Sequence, residues 1–513
     1  MSDISEAEVS SALNSMKNNK SPGIDGIPAE LLKHGAETII KELTNLYSKL
    51  WREETVPQEW NKGAIIKLPK KGNLSDCNNW RGITLLSIAG KVFSKILLNR
   101  LKNAVDTTLR EQQAGFRTGR SCSEQILTLR NILEQSIEFQ QYLSINFIDF
   151  KKAFDSIHRP AMWKILSHYG IPDKFINIFK AMYAEFSCCI KINTHSGYTD
   201  FFKILSGVKQ GCILSPFLFV IIMDYVMKQA MNKTEFGIQW NDDQRLTDLD
   251  FADDIALLAE DDLTLQAMTD DLINSAAPFG LIVSGNKSKI MRIGHSAQTQ
   301  YVTAKATALE DVDKFTYLGS CIAQDGNVED DVNARLGKAA TVFRRMNSIW
   351  NTKTLNLDTK LRLYSSVVLP TAIYASETWK MTEKLAKKLD VFHQRCLRKI
   401  LKVSWRDHRT NEDILARTGQ RRLRDVVAER RLKFAGHILR LGGTRPARIA
   451  TVWRPVKGRR RRGRPKRTWR STIQDDLRAR GVKWEEAPQL AADREEWLKL
   501  VARCPTGIGG SKV

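Results

Sequence analysis

The chain has 513 residues, more than one compact core holds, so roughly two to four domains are expected. Hydrophobic residues make up 42%, enough for most of the chain to fold, but no run of about 18 apolar residues is present to span a membrane. A formal net charge of +23 points to a polyanionic partner, nucleic acid ahead of an anionic membrane surface.

From the N-terminus, Met1 to Ser10 is polar and lacks an apolar signal core. Glu6 to Met16 is amphipathic and reads as a helix ending near Asn18-Asn19-Lys20. Ser21-Pro22-Gly23-Ile24-Asp25-Gly26 is a loop of turn formers. Pro28 sits where helices commonly begin, and a helix is expected from there to about Leu50. Ala64 to Leu68 reads as a strand broken by Pro69. Lys91 to Val105 has helical periodicity, Tyr142 to Asp149 alternates as a strand does, and residues 153–169 return to helix. The longest apolar run, Phe217 to Met223, stops at Asp224. Leu246 to Ala259 reads as strand, turn and strand, with Asp253 and Asp254 at the turn. Gly280 to Ile293 and Phe315 to Ile322 are further short strands, and residues 328–402 are helical. Arg421 to Arg440 is a very basic amphipathic helix. Residues 454–470 hold ten Lys or Arg and no acid, broken by Gly458, Gly463 and Pro465; an extended arm, disordered until it meets a partner, is expected.

The most informative residues are acids. Adjacent carboxylates repel, so Asp253 and Asp254 need something positive between them, and hard oxygen donors favour Mg²⁺. A lone Asp-Asp is most often a solvated turn; here the pair lies inside an apolar hairpin, with Asp149 ending a strand upstream. Carboxylates from two neighbouring strands have the chemistry for two ions ~3.5–4 Å apart, the arrangement under which a 3′ hydroxyl attacks an α-phosphate while pyrophosphate leaves.

In chain order the segments are Lys20-Ser21-Pro22-Gly23-Ile24-Asp25-Gly26, Ile66-Lys67-Leu68-Pro69-Lys70-Lys71-Gly72, Asn79-Trp80-Arg81-Gly82-Ile83-Thr84-Leu85-Leu86, Gln113-Ala114-Gly115-Phe116-Arg117 and Phe147-Ile148-Asp149-Phe150. Gly207-Val208-Lys209-Gln210-Gly211-Cys212-Ile213-Leu214-Ser215-Pro216, Phe251-Ala252-Asp253-Asp254, Gly280 to Met291 and Tyr317-Leu318-Gly319 follow. Their order resembles the reverse transcriptase of non-long-terminal-repeat (LINE-type) retrotransposons. The resemblance implies an α+β right-hand polymerase with fingers over 1–140, a palm with an antiparallel sheet over 141–325, a helical thumb over 326–402 and a basic, partly disordered nucleic-acid-binding region over 403–513. It implies an RNA-directed DNA polymerase that uses two Mg²⁺ ions, with Mn²⁺ as a substitute. RNA template, DNA primer or target and deoxynucleoside triphosphates would be its partners, and no membrane.

Residue by residue, the resemblance makes Asp149, Asp253 and Asp254 the catalytic, metal-binding triad, joined by the backbone carbonyl of Phe150. Phe154 matches the aromatic that closes over the sugar and clashes with a 2′ hydroxyl. Lys70 and Arg81 match basic residues that hold the triphosphate, with Lys67 a helper. Gln210 and Gly211 match the turn beside the nucleotide, and Lys287 matches a lysine that protonates pyrophosphate, although Val283-Ser284-Gly285-Asn286 departs from the family pattern. Asp155 and Asp250 read as structural.

Arg459, Arg460, Arg461, Arg462, Arg464, Lys466 and Arg467 form the expected nucleic-acid-binding arm, a nuclear import signal, or both, with a solubilising arm as the plain alternative. Trp453 and Trp469 flank it and are expected to stack on bases. His393 and Cys396 are spaced i, i+3 with His408 following; buried helix packing is favoured over a metal site. The eight cysteines (77, 122, 188, 189, 212, 321, 396, 504) contain no Cys-x-x-Cys pair, so neither a disulfide framework nor a zinc ribbon is expected, and a nuclear or cytoplasmic compartment fits. The polymerase motifs open almost at once, so an endonuclease is expected from another chain or lost by truncation. The rival readings are an inactive or domesticated RNA-binding remnant, and a reverse transcriptase of the group II intron or telomerase kind.

Overall fold

A computed structural model describes residues 2–70, 72–192, 197–240, 244–294 and 300–503; Cys504 and the end of the basic region lie outside them. The chain forms two compact units that interleave in sequence. The first takes Met1–Gly119, Asp149–Lys233 and Met268–Gly285; the second takes Arg120–Ile148, Thr234–Ala267 and Asn286–Val513.

In the first unit the N-terminal helix is Glu6–Asn14, started by a capping box between Ser5 and Glu8. The helix expected from Pro28 is two, Ala29–His34 and Ala36–Glu53, with Pro28 in the cap position. Gly35 caps both, and the Ile39 side chain fills the space its Cβ would need. A four-stranded sheet runs in the order Trp80–Leu85, Lys62–Pro69, Ser187–Ile190, Phe202–Lys203. Pro69 is the last residue of its strand rather than a break before it. The first pair is antiparallel, with Ile66 opposite Ile83. The helix Ser215–Ala230 is apolar around most of its surface and buried. Asp224, which ends its apolar run in sequence, is fully buried and satisfied: Lys228 lies 2.8 Å away, the Tyr169 hydroxyl donates at 2.6 Å and the Arg110 backbone N–H at 2.8 Å.

The second unit is built on a five-stranded sheet in the order Glu310–Asp311, Lys289–Ile293, Leu143–Ile148, Asp254–Ala259, Asp248–Phe251. Leu143–Ile148 is buried on both faces and antiparallel to both neighbours, with Ile145 opposite Met291 and Leu258. The helix Cys122–Glu138 packs Ile126, Leu129, Ile132 and Leu133 into the same core. Only Lys289–Ile293 of the expected 280–293 strand forms. Upstream, Val283 makes an isolated bridge to Phe150 in the first unit. Phe315 to Ile322 is a hairpin, Lys314–Tyr317 and Ser320–Ala323, turning at Leu318 and Gly319 in the left-handed region.

Helices Glu329–Arg345, Leu357–Leu363 and Glu383–Leu401 follow, around a core that includes Trp350, Tyr364, Trp379 and Leu397. His393 is packed inside it, its Nδ1 2.8 Å from the Tyr364 hydroxyl. Burial holds the imidazole down to about 4 and pushes the Cys396 thiol up to about 12, so both are neutral packing groups.

The C-terminal stretch departs from expectation. Leu423–Leu439 is a helix with a buried core of its own, joined by Trp469, Ile473, Leu477 and Trp497. Both tryptophans expected to stack on bases are structural. Trp469 is 1% exposed, and its Nε1 donates to the Glu377 carbonyl at 2.8 Å. Trp453 donates to the Gln239 carbonyl at 2.9 Å and packs its ring 5.5 Å from that of Trp240. Between these anchors the cationic stretch has no helix or strand, but it is held to the end of Cys122–Glu138. Arg461 N–H donates to the Glu138 carbonyl and Arg460 Nε to the Glu138 carboxylate, both at 2.9 Å. Gly458, φ +106°, lies so close that a Cβ would stand 2.4 Å from the Phe139 carbonyl oxygen. Residues 459–467 remain exposed along this strap.

Candidate active site

In the second unit the hairpin closes as a two-residue loop: Phe251 pairs with Asp254, leaving Ala252 and Asp253 at the tip. Ala252 takes φ +59°, the sign such loops require but a strained one for a residue with a Cβ. Asp253 is half-buried and Asp254 exposed, so this end of an apolar sheet presents carboxylates outward. The neighbouring strand ends in register with it, Ile148 opposite Ile255. Asp149 is the next residue after Ile148, and Asp254 the one before Ile255.

Two residues hold the hairpin backbone from behind, and neither carries a motif signal in the sequence. Gln125 Nε2 donates to the Asp250 carbonyl and the Tyr317 hydroxyl to the Leu249 carbonyl, both at 2.9 Å. Burial, with Asp250 and Asp254 next in order, raises the Tyr317 phenol well above its ordinary range, so it stays a donor. Asp250 is fully buried with its carbonyl engaged, in line with its structural assignment. Lys287 is exposed in the turn leading to the strand Lys289–Ile293.

The residues that the resemblance assigns to the nucleotide, Lys287 apart, lie in the first unit. Asp149, half-buried, accepts Ser284 N–H on its backbone carbonyl at 2.8 Å, and buried Phe150 bridges Val283. Phe154 lies face to face on buried Phe219, centroids 4.2 Å apart. Its carbonyl accepts Val208 N–H at 2.7 Å, which starts the turn toward Gln210. Gln210 Nε2 donates to Asp155 Oδ1 at 2.8 Å, and its carbonyl accepts Thr84 N–H at 2.7 Å. Gly211, φ +119°, is fixed as glycine: a Cβ would stand 2.2 Å from the Thr84 carbonyl oxygen. Arg81, opposite Leu68 in the adjacent strand pair, is exposed, as is Lys70, whose N–H donates to the Asn79 carbonyl at 2.7 Å. Lys67 lies 5.7 Å over the Trp80 ring.

Lys209, inside the same motif, has a role the sequence did not expose. It is buried over the Phe186 ring at 4.0 Å, and desolvation holds its ammonium down to about 8. Its ammonium donates to the Met182 carbonyl, anchoring the residue next to Gln210. Asp155, its carboxyl pKa raised by burial, acts on that turn through Gln210.

Among the described residues no three His, Cys, Asp or Glu side chains stand assembled as a metal site. The donor chemistry of Asp149, Asp253 and Asp254 still fits a hard divalent cation, because all offer carboxylate oxygens and none is fully buried. No described helix is long and apolar enough to cross a membrane.

Residues 68–322 are a reverse transcriptase (RNA-dependent DNA polymerase) domain, built of mixed helix and sheet. Its relatives are reverse transcriptases of non-long-terminal-repeat retrotransposons. The chain is 28% identical over 259 residues to the transposon TX1 uncharacterized 149 kDa protein of Xenopus laevis, covering 50% of this chain and 20% of that one. It is 22% identical over 411 residues to the RNA-directed DNA polymerase from mobile element jockey of Drosophila funebris, covering 78% and 44%. It is 24% identical over 396 residues to the Pol polyprotein from retrotransposable element R2 of Popillia japonica, covering 75% and 53%. The chain thus spans about half the length of these relatives or less. Among solved structures, apo telomerase from Candida tropicalis is 15% identical with a TM-score of 0.41, covering 91% of this chain and 74% of that one.

Proposed function

We propose that this chain extends a DNA 3′ end on an RNA template, taking deoxynucleoside triphosphates and releasing pyrophosphate. The observation that carries the reading is the register Ile148–Ile255, which brings the strand before Asp149 level with the strand that Asp254 opens, inside a reverse transcriptase domain. Fingers over 1–140, palm over 141–325, thumb over 326–402 and a basic region beyond are part of the same reading.

In it, Asp149, Asp253, Asp254 and the Phe150 carbonyl hold divalent cations, Mg²⁺ by preference. The cations supply a lowered pKa at the attacking hydroxyl and charge neutralisation on the leaving oxygens. Arg81 gives a planar fork and Lys70 a point charge for the triphosphate, and Lys287 donates a proton toward pyrophosphate. Gln210, fixed by Asp155 and Thr84, and Gly211, which lets the backbone approach closely, line the nucleotide. Phe154 has no freedom to retreat because Phe219 backs its ring, so a 2′ hydroxyl meets it head on. Phe154→Ala is expected to raise ribonucleotide incorporation at least about tenfold over wild type, roughly the 1.4 kcal/mol that one lost steric contact is worth. Incorporation ratios from primer extension check it, and an unchanged ratio removes the gate.

The exposed cations of the strap bind nucleic-acid phosphates, acting in the nucleus or cytoplasm. Substituting Arg459, Arg462, Arg464 and Lys466 with Gln should weaken binding alike for all sequences. The slope of log K against log salt should fall by about 0.7–0.9 per lost phosphate contact. A slope equal to wild type would show that the strap touches no phosphate. Primer extension on an RNA template tests the whole reading. Salt-sensitive RNA binding without cation-dependent synthesis would replace it with the remnant.

A further inference from the structure

Phe116 is oddly placed for a phenylalanine. Its ring is 58% exposed, and its backbone is left-handed at φ +56°, a region that few side chains other than Asn and Asp favour. Both features cost free energy, and the surrounding turn enforces both. Arg117, 9% exposed, donates from Nε to the Asp106 carboxylate at 2.7 Å and from Nη2 to the Asp106 carbonyl at 2.8 Å. Its Nη1 donates to the Arg110 carbonyl at 2.5 Å and the Gln113 carbonyl at 3.0 Å. Fully buried Gln113 accepts Gly115 N–H at 2.7 Å. One guanidinium fork and one amide therefore over-determine the turn. Strain held in this way is characteristic of groups positioned for a ligand.

The Phe116 ring stands edge-on to Phe154, centroids 6.4 Å apart and planes at 86°. Phe154 in turn lies on Phe219, and its carbonyl leads through Val208 to the Gln210 turn. The exposed ring therefore borders the group already assigned to the sugar, within one compact unit. We propose that Phe116 is a second, specificity-determining wall of the incoming-nucleotide pocket, packing against the nucleoside part of a deoxynucleoside triphosphate held against Phe154. The Arg117 fork is the device that holds this wall in place before the nucleotide arrives. This inference rests on the reading of Phe154 given above.

The test is Phe116→Asn beside Phe116→Tyr. Asparagine tolerates the left-handed backbone, so it removes the ring without adding strain. In steady-state extension on an RNA template, Phe116→Asn should raise the KM for deoxynucleotides about tenfold, the scale of one lost base–aromatic contact, with kcat within about twofold. Its melting temperature should match or exceed that of wild type, and Phe116→Tyr should keep the wild-type KM. An unchanged KM in Phe116→Asn, or a fall in kcat together with a lower melting temperature, overturns the proposal. A wild-type chain that binds template but extends nothing sinks the polymerase reading instead. Calorimetric titration with dATP then decides the wall alone: weaker binding by Phe116→Asn supports it, and equal binding overturns it.

Discussion

Asp253→Asn with Asp254→Asn should abolish primer extension while leaving the fold intact, and this is the largest catalytic effect expected of any substitution here. Neither carboxylate is fully buried: Asp253 lies in the loop, and Asp254 is the exposed first residue of its strand. Amide replacements keep the size of each side chain and relieve the repulsion between adjacent charges, so melting should stay level or rise slightly. An amide still offers an oxygen, but not the negative charge that draws a divalent cation out of water. Losing charge stabilisation worth several kcal/mol lowers the rate about 10³-fold or more. The hairpin should survive because Gln125 and Tyr317 hold its backbone from two sides. Single-turnover extension beside a melting curve checks both halves. Extension at even a tenth of the wild-type rate would remove the carboxylates from the chemistry.

The hairpin at Asp253 and the strand before Asp149 were legible because their patterns are local. An alternating run with an Asp-Asp at its turn specifies a hairpin tip, and a strand ending in Asp149 needs only neighbours of the right period to be found. The strand expected over 280–293 was legible only in its second half. Val283 has the pattern of a strand residue, but its backbone meets only Phe150 through an isolated bridge, so no ladder forms. The tryptophans misled for a related reason. Beside a run of arginines, Trp453 and Trp469 look like stacking platforms, yet what buries them is remote in sequence: Trp240 and Gln239 for one, Glu134 and Glu377 for the other. Local charge says nothing about such partners. Likewise the exposed, strained Phe116 is invisible as a pattern, because its backbone angle is set by Arg117 reaching back to Asp106.

Asp331→Ala should be the most destabilising single change, and it acts far from any catalytic group in sequence. Asp331 is 1% exposed at the start of helix Glu329–Arg345. Its Oδ2 accepts from Arg130 Nη2 at 2.8 Å, Ser320 Oγ at 2.7 Å and Trp379 Nε1 at 2.8 Å, while Oδ1 accepts Cys321 N–H at 2.9 Å. One carboxylate thus ties helix Cys122–Glu138, the hairpin at Ser320 and the Trp379 turn together within the second unit. Removing it leaves the Arg130 guanidinium buried, where desolvation already lowers its pKa as the largest influence on it and Asp331 is the main opposing charge. Breaking a buried pair in this way costs about 3–5 kcal/mol, a fall in melting temperature of roughly 6–20 °C for a unit of this size. Asp331→Asn keeps an acceptor and the shape but not the charge, so it should fall between alanine and wild type. The folded fraction of either variant should extend primers at a rate close to wild type, because Asp331 acts on the packing of the unit and not on the nucleotide. An Asp331→Ala chain that melts within about 2 °C of wild type would mean that Arg130 finds water on its own and that the helices are held by their apolar faces alone.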